Sequence, residues 1–153
     1  MIPEATLSKS SSRARAPSIA GGADAPLVLV ADDHEDSRCI ARIVLETSGF
    51  RVVEARTGSE ALAMARALQP VATVLDIVMP ELTGWEVARA LRADETSRQL
   101  VIIALTALSD PSDRILSMAS GCDAMLVKPI HPRALTQVVR RQLARRARAA
   151  ARR

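Results

Sequence analysis

Five short apolar runs alternate along the chain with five segments whose apolar residues recur every three or four positions. The short runs, rich in Val, Ile, Leu and Ala, predict strands at residues 27–31, 51–55, 71–76, 100–105 and 124–127. Because most of them lack alternating apolar and polar positions, they are typical of parallel strands buried on both faces. The regular succession of strand and helix therefore predicts an α/β fold, a doubly wound parallel sheet of five strands with helices on both faces.

Three of the helical segments have a clear apolar stripe. The predicted inward residues are, in chain order, Ile40, Ile43, Val44 and Thr47; Ala61, Leu62, Ala65 and Leu68; and Leu135, Val138, Val139 and Leu143. The first helix is predicted to end at Gly49 and the second before Pro70, since glycine and proline commonly follow a helix. Each helix then buries one stripe against the sheet.

The starts of the helices are marked by capping residues. Thr57 with Glu60 and Thr83 with Glu86 have the spacing of a capping box, in which each side chain satisfies a free backbone N–H of the first turn. The fourth helix is predicted over residues 110–121, with an aspartate and a proline at its start. These signals place the second, third and fourth helices along the chain.

The composition is that of one globular domain. Of 153 residues, 48% are hydrophobic and 25% charged, and no apolar run approaches the roughly 20 residues that span a bilayer, so we expect no membrane segment. Phe50 and Trp85 are the only aromatic residues, which argues against a base-stacking surface for single-stranded nucleic acid. Cys39 and Cys122 lack metal-ligand or dithiol spacing, and no secretory signal begins the chain, so we expect reduced thiols in a cytoplasmic protein.

Positive charge is concentrated at the carboxyl terminus. Residues 27–139 carry 11 basic and 15 acidic groups, whereas residues 140–153 carry seven arginines and no acid. Such a segment can bind nucleic acid through counterion release, but it is too short to form a domain that reads a DNA sequence. An extended fifth helix or a solvated end is the alternative.

The chain divides into three parts by composition. Residues 1–26 are rich in Ser, Ala, Gly and Pro and predict a disordered extension. Residues 27–146 form the predicted domain, and residues 147–153 form a basic, Arg-rich tail.

Polar residues follow four of the five predicted strands. Asp32 and Asp33 follow the first, Asp76 ends the third, Thr106 follows the fourth and Lys128 follows the fifth. Ligands of doubly wound sheets bind at the carboxyl ends of the strands, so these side chains are predicted to meet at one edge. Three carboxylates repel unless a hard cation neutralises them, which predicts a site for Mg²⁺ and a phosphoryl group. A carboxylate can act as nucleophile and become an aspartyl phosphate, with the threonine and the lysine contacting phosphoryl oxygens.

Short motifs with these residues resemble a known family, the receiver domains of response regulators in two-component signalling. The matching stretches are L-V-L-V-A-D-D at 27–33, V-L-D-I-V-M-P at 74–80, T-G at 83–84, A-L-T-A at 104–107 and V-K-P at 127–129. The resemblance covers about residues 27–146. It implies a CheY-like, flavodoxin-like sheet with strand order 2-1-3-4-5.

The resemblance also assigns roles to the site residues. It implies that Asp76 is the phosphoacceptor, that Thr106 is the switch hydroxyl and that Lys128 binds the phosphoryl group. Asp32, Asp33, Asp76 and the backbone carbonyl of Val78 are implied as Mg²⁺ ligands. A cis peptide bond is implied between Lys128 and Pro129.

Three positions bear on switching and on the lifetime of the phosphorylated state. Met125 stands where the family usually has an aromatic residue that moves inward on phosphorylation, so we expect weaker coupling to the face of the fourth helix, fifth strand and fifth helix. Val78 and Leu108 occupy the positions that tune hydrolysis in the family. Both are apolar and cannot orient a water molecule, which predicts slow loss of phosphate.

Together these features predict a stand-alone response regulator receiver. It would accept a phosphoryl group on Asp76 from a sensor histidine kinase or a histidine phosphotransfer protein and signal by contact with a downstream protein, as a switch and not a turnover enzyme. Three alternatives remain: a non-switching binding module, an adaptor that contacts nucleic acid through the basic tail without sequence specificity, and a phosphatase with an aspartate nucleophile. The phosphatase would need an acid where Val78 stands.

Overall fold

The structure is a computed structural model that describes residues 22–107 and 110–153. Most of the predicted amino-terminal extension, residues 1–21, and Leu108 lie outside the described residues. Within them, no helix combines the length and apolar character needed to cross a membrane.

Five strands and five helices alternate through the described chain. The strands are β1 (Leu27–Ala31), β2 (Arg51–Ala55), β3 (Ala72–Asp76), β4 (Val101–Thr106) and β5 (Ala124–Val127). The helices are α1 (Glu35–Thr47), α2 (Gly58–Leu68), α3 (Gly84–Ala93), α4 (Pro111–Ala119) and α5 (Pro132–Ala151). The predicted strands are confirmed to within one residue at each end.

All strands pair in parallel in one sheet with the order β2-β1-β3-β4-β5. Strand β1 lies in the interior of the sheet. β2 pairs with one side of β1, and β3, β4 and β5 follow in order on its other side. This reversal is the topological switch point of a doubly wound sheet, and it lies between β1 and β3. The predicted fold class and strand order are confirmed.

Two apolar clusters lie on opposite faces of the sheet. One contains Leu29, Leu75 and Ile102 and packs against α2 and α3. The other contains Val30 and Ile103 and packs against α1 and α5. Since successive residues of a strand point to opposite faces, β1, β3 and β4 supply both clusters, as their continuous apolar runs predict.

The predicted inward face of α1 is wrong for Ile40, Ile43 and Thr47, which are exposed, and is confirmed for Val44, which packs against the second apolar cluster. Ile40 and Ile43 are about half exposed, at 47% and 49%, whereas Arg38, Ala41 and Leu45 are buried. The buried arginine is the physical reason. Its guanidinium donates a hydrogen bond to the backbone carbonyl of Asp32 and forms an ion pair with Glu54, so a polar residue occupies the inward stripe.

Smaller corrections concern single side chains. Leu68, predicted inward, is exposed because α2 ends at that residue and its inward face consists of Gly58, Ala61 and Ala65. His131 is the N-cap residue of α5, and its side chain makes no capping hydrogen bond. Met118 is exposed on α4.

Helix α5 continues far beyond the sheet. Its 20 residues end at Ala151, so it includes most of the segment that was predicted as a separate tail. The structure shows that most of residues 140–153 continue the fifth helix.

Candidate functional site

The polar residues at the carboxyl ends of the strands meet at one edge of the sheet. Asp32 and Asp33 follow β1, Asp76 is the last residue of β3, Thr106 is the last residue of β4 and Lys128 follows β5. Strands β1, β3, β4 and β5 are consecutive neighbours in the sheet. Parallel pairing sets Asp76 beside Leu105, next to Thr106. The sheet therefore brings all five predicted residues to the same edge.

Lys128 lies between two of the carboxylates. Its Nζ is 2.7 Å from Asp32 Oδ2 and 3.0 Å from Asp76 Oδ2. Both carboxylates are almost completely buried, and the lysine side chain is 14% exposed. A buried carboxylate is costly unless it is paired, so this ammonium group compensates both charges.

Burial and neighbouring charges shift the pKa values of Asp76 and Lys128. Burial raises the pKa of Asp76, and the nearby charge of Asp32 adds to the rise while Lys128 opposes it. For Lys128, burial acts to lower the pKa, but its hydrogen bonds with Asp32 and Asp76 outweigh that effect and raise the pKa. Lys128 therefore stays protonated beside the Asp76 carboxylate, which burial shields from water.

The two buried carboxylates belong to a cluster of four possible metal ligands. Asp32, Asp33, His34 and Asp76 each offer one ligand atom, and these atoms all lie within 4.8 Å of one another. Three of the four residues are carboxylates, the donors that a hard divalent cation prefers. The donor set fits Mg²⁺, as the sequence predicts.

His34 lies at the edge of this cluster. Its side chain is 70% exposed, and Nδ1 is 3.1 Å from Asp33 Oδ1 and 3.5 Å from Asp32 Oδ1. Its backbone N–H also donates to Asp32 Oδ1 at 2.9 Å. The imidazole therefore faces the acidic cluster from the solvent side.

Backbone contacts hold the loops around the cluster. The N–H of Val78 donates to Asp76 Oδ1 at 3.2 Å, and the N–H of Lys128 donates to the carbonyl of Thr106 at 2.7 Å. The peptide bond between Lys128 and Pro129 is cis, which confirms the prediction. Val78 itself is exposed, with its side chain in solvent.

Gly84 lets the loop after β3 pack tightly. A Cβ atom at this position would lie 2.4 Å from the carbonyl oxygen of Asp76, closer than any side chain tolerates. The N–H of Gly84 donates to the carbonyl of Ile77 at 2.9 Å. The start of α3 therefore rests directly on the backbone that carries Asp76.

Arg38 was missed in the sequence because an arginine is not expected on an inward helix face. Its guanidinium Nη1 donates to the carbonyl of Asp32 at 2.9 Å, and Nε lies 3.3 Å from Glu54 Oε1. The side chain is 6% exposed. The only signal for it in the sequence is its spacing with Ala41 and Leu45. Arg38 positions the loop that bears Asp32 and Asp33.

A series of side-chain contacts that the sequence did not predict joins α3, α4 and β5. The indole Nε1 of Trp85 donates to Ser117 Oγ at 2.9 Å, and Ser117 Oγ donates to Met125 Sδ at 3.6 Å. Ser117 is fully buried. Side chains of α3, α4 and β5 are thereby joined through one hydroxyl group.

A family model described as the response regulator receiver domain matches residues 28–140. The polar-differentiation response regulator DivK of Brucella ovis is 36% identical over 103 residues, which cover 67% of this chain and 84% of DivK. The probable transcriptional regulator ycf27 of Porphyridium aerugineum is 40% identical over 118 residues, which cover 77% of this chain and 48% of that protein. The chain spans about half the length of this second relative.

A solved structure is similar over the same region. The receiver domain of the sensor histidine kinase PA1611 from Pseudomonas aeruginosa PAO1 superposes with a TM-score of 0.73 and is 28% identical. The match covers 78% of this chain and 98% of that one. That structure has a magnesium ion coordinated in its active-site cleft.

Proposed function

The chain belongs to the response regulator receiver family, and from that premise we propose that Asp76 accepts a phosphoryl group and that the chain acts as a stand-alone switch. The observation that carries the proposal is the contact of Lys128 Nζ with Asp76 Oδ2, at 3.0 Å, within a cluster of three carboxylates. Receiver domains are phosphoacceptors of two-component systems, so a sensor histidine kinase or a histidine phosphotransfer protein is the proposed donor.

The proposed reaction is a phosphoryl transfer to a carboxylate. A carboxylate oxygen of Asp76 attacks the phosphorus atom, the bond between phosphorus and the donor breaks, and the donor leaves with the electron pair of that bond. Lys128, which contacts the Asp76 carboxylate in the structure, would contact one phosphoryl oxygen after the transfer. The hydroxyl of Thr106 would donate to another. Burial assists because it removes the water that stabilises the free carboxylate.

The proposed metal site uses the carboxylates of Asp32, Asp33 and Asp76 and the backbone carbonyl of Val78. Mg²⁺, when bound, neutralises negative charge on the phosphoryl oxygens. Arg38 would keep the loop of Asp32 and Asp33 in position through its hydrogen bond to the Asp32 carbonyl. We also propose slow hydrolysis of the phosphorylated form, since the side chain of Val78 offers no group that orients water.

Mass spectrometry of the full chain tests the proposal. Incubation with acetyl phosphate and Mg²⁺ should add one phosphoryl group, and hydroxylamine should remove it because an acyl phosphate is labile. Asp76→Asn should abolish the gain, whereas Asp24→Asn, an exposed aspartate far from the cluster, should leave it intact. A gain that persists in Asp76→Asn, or that resists hydroxylamine as a serine phosphate does, would refute the assignment.

We propose that the signal passes to a downstream protein through the surface of α4 and β5. Ile115, Leu116 and Met118 on α4 and Val127 on β5 are exposed apolar side chains of this surface, of the kind that protein partners cover. Met125 of β5 contacts Ser117 of α4 at 3.6 Å, so a methionine takes the place of the usual aromatic residue in linking the strand to the helix.

Beryllofluoride, which mimics a bound phosphoryl group, tests whether this link responds. With Mg²⁺ it should change Trp85 fluorescence and the amide exchange of α4, because the indole is bonded to Ser117. No change in either quantity, at a concentration that protects Asp76 from acetyl phosphate, would favour the non-switching alternative.

A further inference from the structure

The extended helix α5 separates its arginines into two groups. Arg140 and Arg146 point toward the domain: Arg140 Nη2 donates to the carbonyl of Ser48 at 2.9 Å, and Arg146 Nη2 lies 2.7 Å from Asp123 Oδ1. Besides Arg133 and Arg153, which are also exposed but lie at other angles around the helix axis, four arginines are exposed and form no ion pair within the described part of the chain. They are Arg141, Arg145, Arg148 and Arg152.

These four arginines form one stripe, which we call the α5 arginine stripe. Their spacing of four, three and four residues returns to the same side of a helix, within about 60° of arc, over a length of roughly 16 Å. The stripe is turned about a third of a turn around the helix axis from the buried Leu135, Val139 and Gln142. Among residues 22–107 and 110–153, the side chains of the stripe make a single long hydrogen bond, of 3.5 Å from Arg145 to Gln142.

No acid offsets this charge on the helix itself. Residues 132–153 contain eight arginines and no aspartate or glutamate, whereas residues 27–139 carry more acidic than basic groups, 15 against 11. The four arginines are spaced four, three and four residues apart, so their guanidinium groups repel one another. This repulsion does not stabilise a helix that is exposed to solvent. The charge is therefore concentrated on one outward face.

We infer that the α5 arginine stripe binds the phosphate backbone of duplex nucleic acid without sequence preference. A guanidinium group donates two parallel hydrogen bonds to a phosphate, and each phosphate neutralised releases a condensed counterion. The inference goes beyond the proposed phosphoacceptor function and does not rest on it.

The surroundings of the stripe favour a duplex over other polyanions. A membrane-binding helix needs a free apolar face, but the apolar face of α5 is packed on the sheet through Leu135 and Val139. Protein partners usually bury aromatic or large apolar anchors. Between these arginines the one large apolar residue, Leu143, packs against the second apolar cluster, and the others are Gln142, Arg146 and alanines. Single-stranded binding uses aromatic stacking, and the two aromatics, Phe50 and Trp85, lie on other elements.

Fluorescence anisotropy with a labelled 20-base-pair DNA duplex and the full chain tests the inference over a range of salt concentrations. Changing all four stripe arginines to glutamine should weaken binding at least tenfold at low salt. The slope of log affinity against log salt should fall by about three to four, since each phosphate contact contributes roughly 0.9. Glutamine has nearly the helix propensity of arginine, so circular dichroism should be unchanged.

A matched variant controls for net charge. Arg56, Arg89, Arg98 and Arg114 are exposed on other elements, and their change to glutamine removes the same charge. Equal weakening by this control would overturn the inference. Unchanged binding of the stripe variant would overturn it as well. The inference would also fail if the chain bound phosphatidylserine vesicles more tightly than the duplex, or if polyglutamate displaced the duplex at equal charge concentration. Asp76→Asn should bind the duplex as the unaltered chain does, so loss of phosphorylation and loss of duplex binding are separable.

Discussion

The indole nitrogen of Trp85 on α3 donates a hydrogen bond of 2.9 Å to the hydroxyl of Ser117 on α4. The two residues are 32 positions apart in the chain, and the same hydroxyl also reaches Met125 on β5. One fully buried oxygen thus joins three elements on the side of the sheet next to the site. The contact also makes the single tryptophan a reporter of the position of α4.

Ser117→Ala should therefore destabilise the protein and change its fluorescence. The substitution leaves the indole N–H without its partner, which we expect to cost about 1 to 2 kcal/mol of unfolding free energy. Urea unfolding measures the loss, and the tryptophan emission maximum in the folded state should shift. Ser59→Ala, on the exposed side of α2, is the matched control and should change neither quantity. Equal stability of the two variants would contradict the structural role of the hydroxyl.

Gly84→Ala should disturb the loop that carries Asp76. Alanine improves helix propensity by about 1 kcal/mol over glycine, but its Cβ would lie 2.4 Å from the Asp76 carbonyl oxygen. Overpacking against backbone typically costs about 1 to 3 kcal/mol and shifts the chain, so the clash should prevail. We expect lower stability in urea and slower phosphorylation by acetyl phosphate. Gly22→Ala, where a Cβ meets nothing within 4 Å, should be neutral, and an unimpaired Gly84→Ala would contradict this packing.

The sheet could be predicted from the sequence because its signals are local. Continuous apolar runs identify β1, β3 and β4, and the threonine–glutamate spacings identify the starts of α2 and α3, where the side chain of each threonine accepts a hydrogen bond from the third residue of its helix. The site residues follow from the strand ends, because parallel strands bring their carboxyl ends to one edge. Asp32, Asp76 and Lys128 meet there.

The remaining features depend on contacts between distant residues. Arg38 is buried only because Glu54 of β2 and the carbonyl of Asp32 receive its guanidinium, and no local pattern reveals that partner. The same holds for Ser117, whose importance comes from Trp85 and Met125. The sequence left the end of α5 open because alanine and arginine continue a helix equally well in the domain and beyond it.

Cys122 should resist alkylation in the folded protein. The thiol is buried beside Arg92 and Asp123, and burial raises its pKa to about 11. At pH 8 only about one thiol in a thousand is then ionised, so iodoacetamide should react roughly a hundredfold more slowly than with an ordinary thiol. Mass spectrometry of the Cys39→Ser variant isolates this thiol. The same variant in guanidinium chloride should react at the ordinary rate, and equally fast reaction without denaturant would contradict the burial.

Lys128→Met should lower the unfolding free energy because the acidic cluster loses its positive partner. In Lys128→Met, Asp32 and Asp76 remain buried without their common ammonium partner, which we expect to cost about 3 to 5 kcal/mol in the presence of a chelator. The pKa of Asp76 is already raised by burial and should rise further without the lysine. A carboxyl group whose pKa is higher in the folded than in the unfolded state stabilises the fold at low pH, and this contribution is lost as the pH rises through the folded pKa. The variant should accordingly be less impaired at pH 5 than at pH 8 in urea unfolding.

Two further measurements separate charge repulsion from lost packing in Lys128→Met. Adding Asp76→Asn removes one of the two opposed carboxylates and should restore part of the stability, and Mg²⁺ should restore stability in Lys128→Met by supplying positive charge to the cluster. Arg133→Met removes an exposed cation elsewhere and should be nearly neutral. If Lys128→Met were equally impaired at pH 5 and pH 8 and insensitive to both Mg²⁺ and Asp76→Asn, its defect would come from packing, and the electrostatic role of the lysine would be refuted.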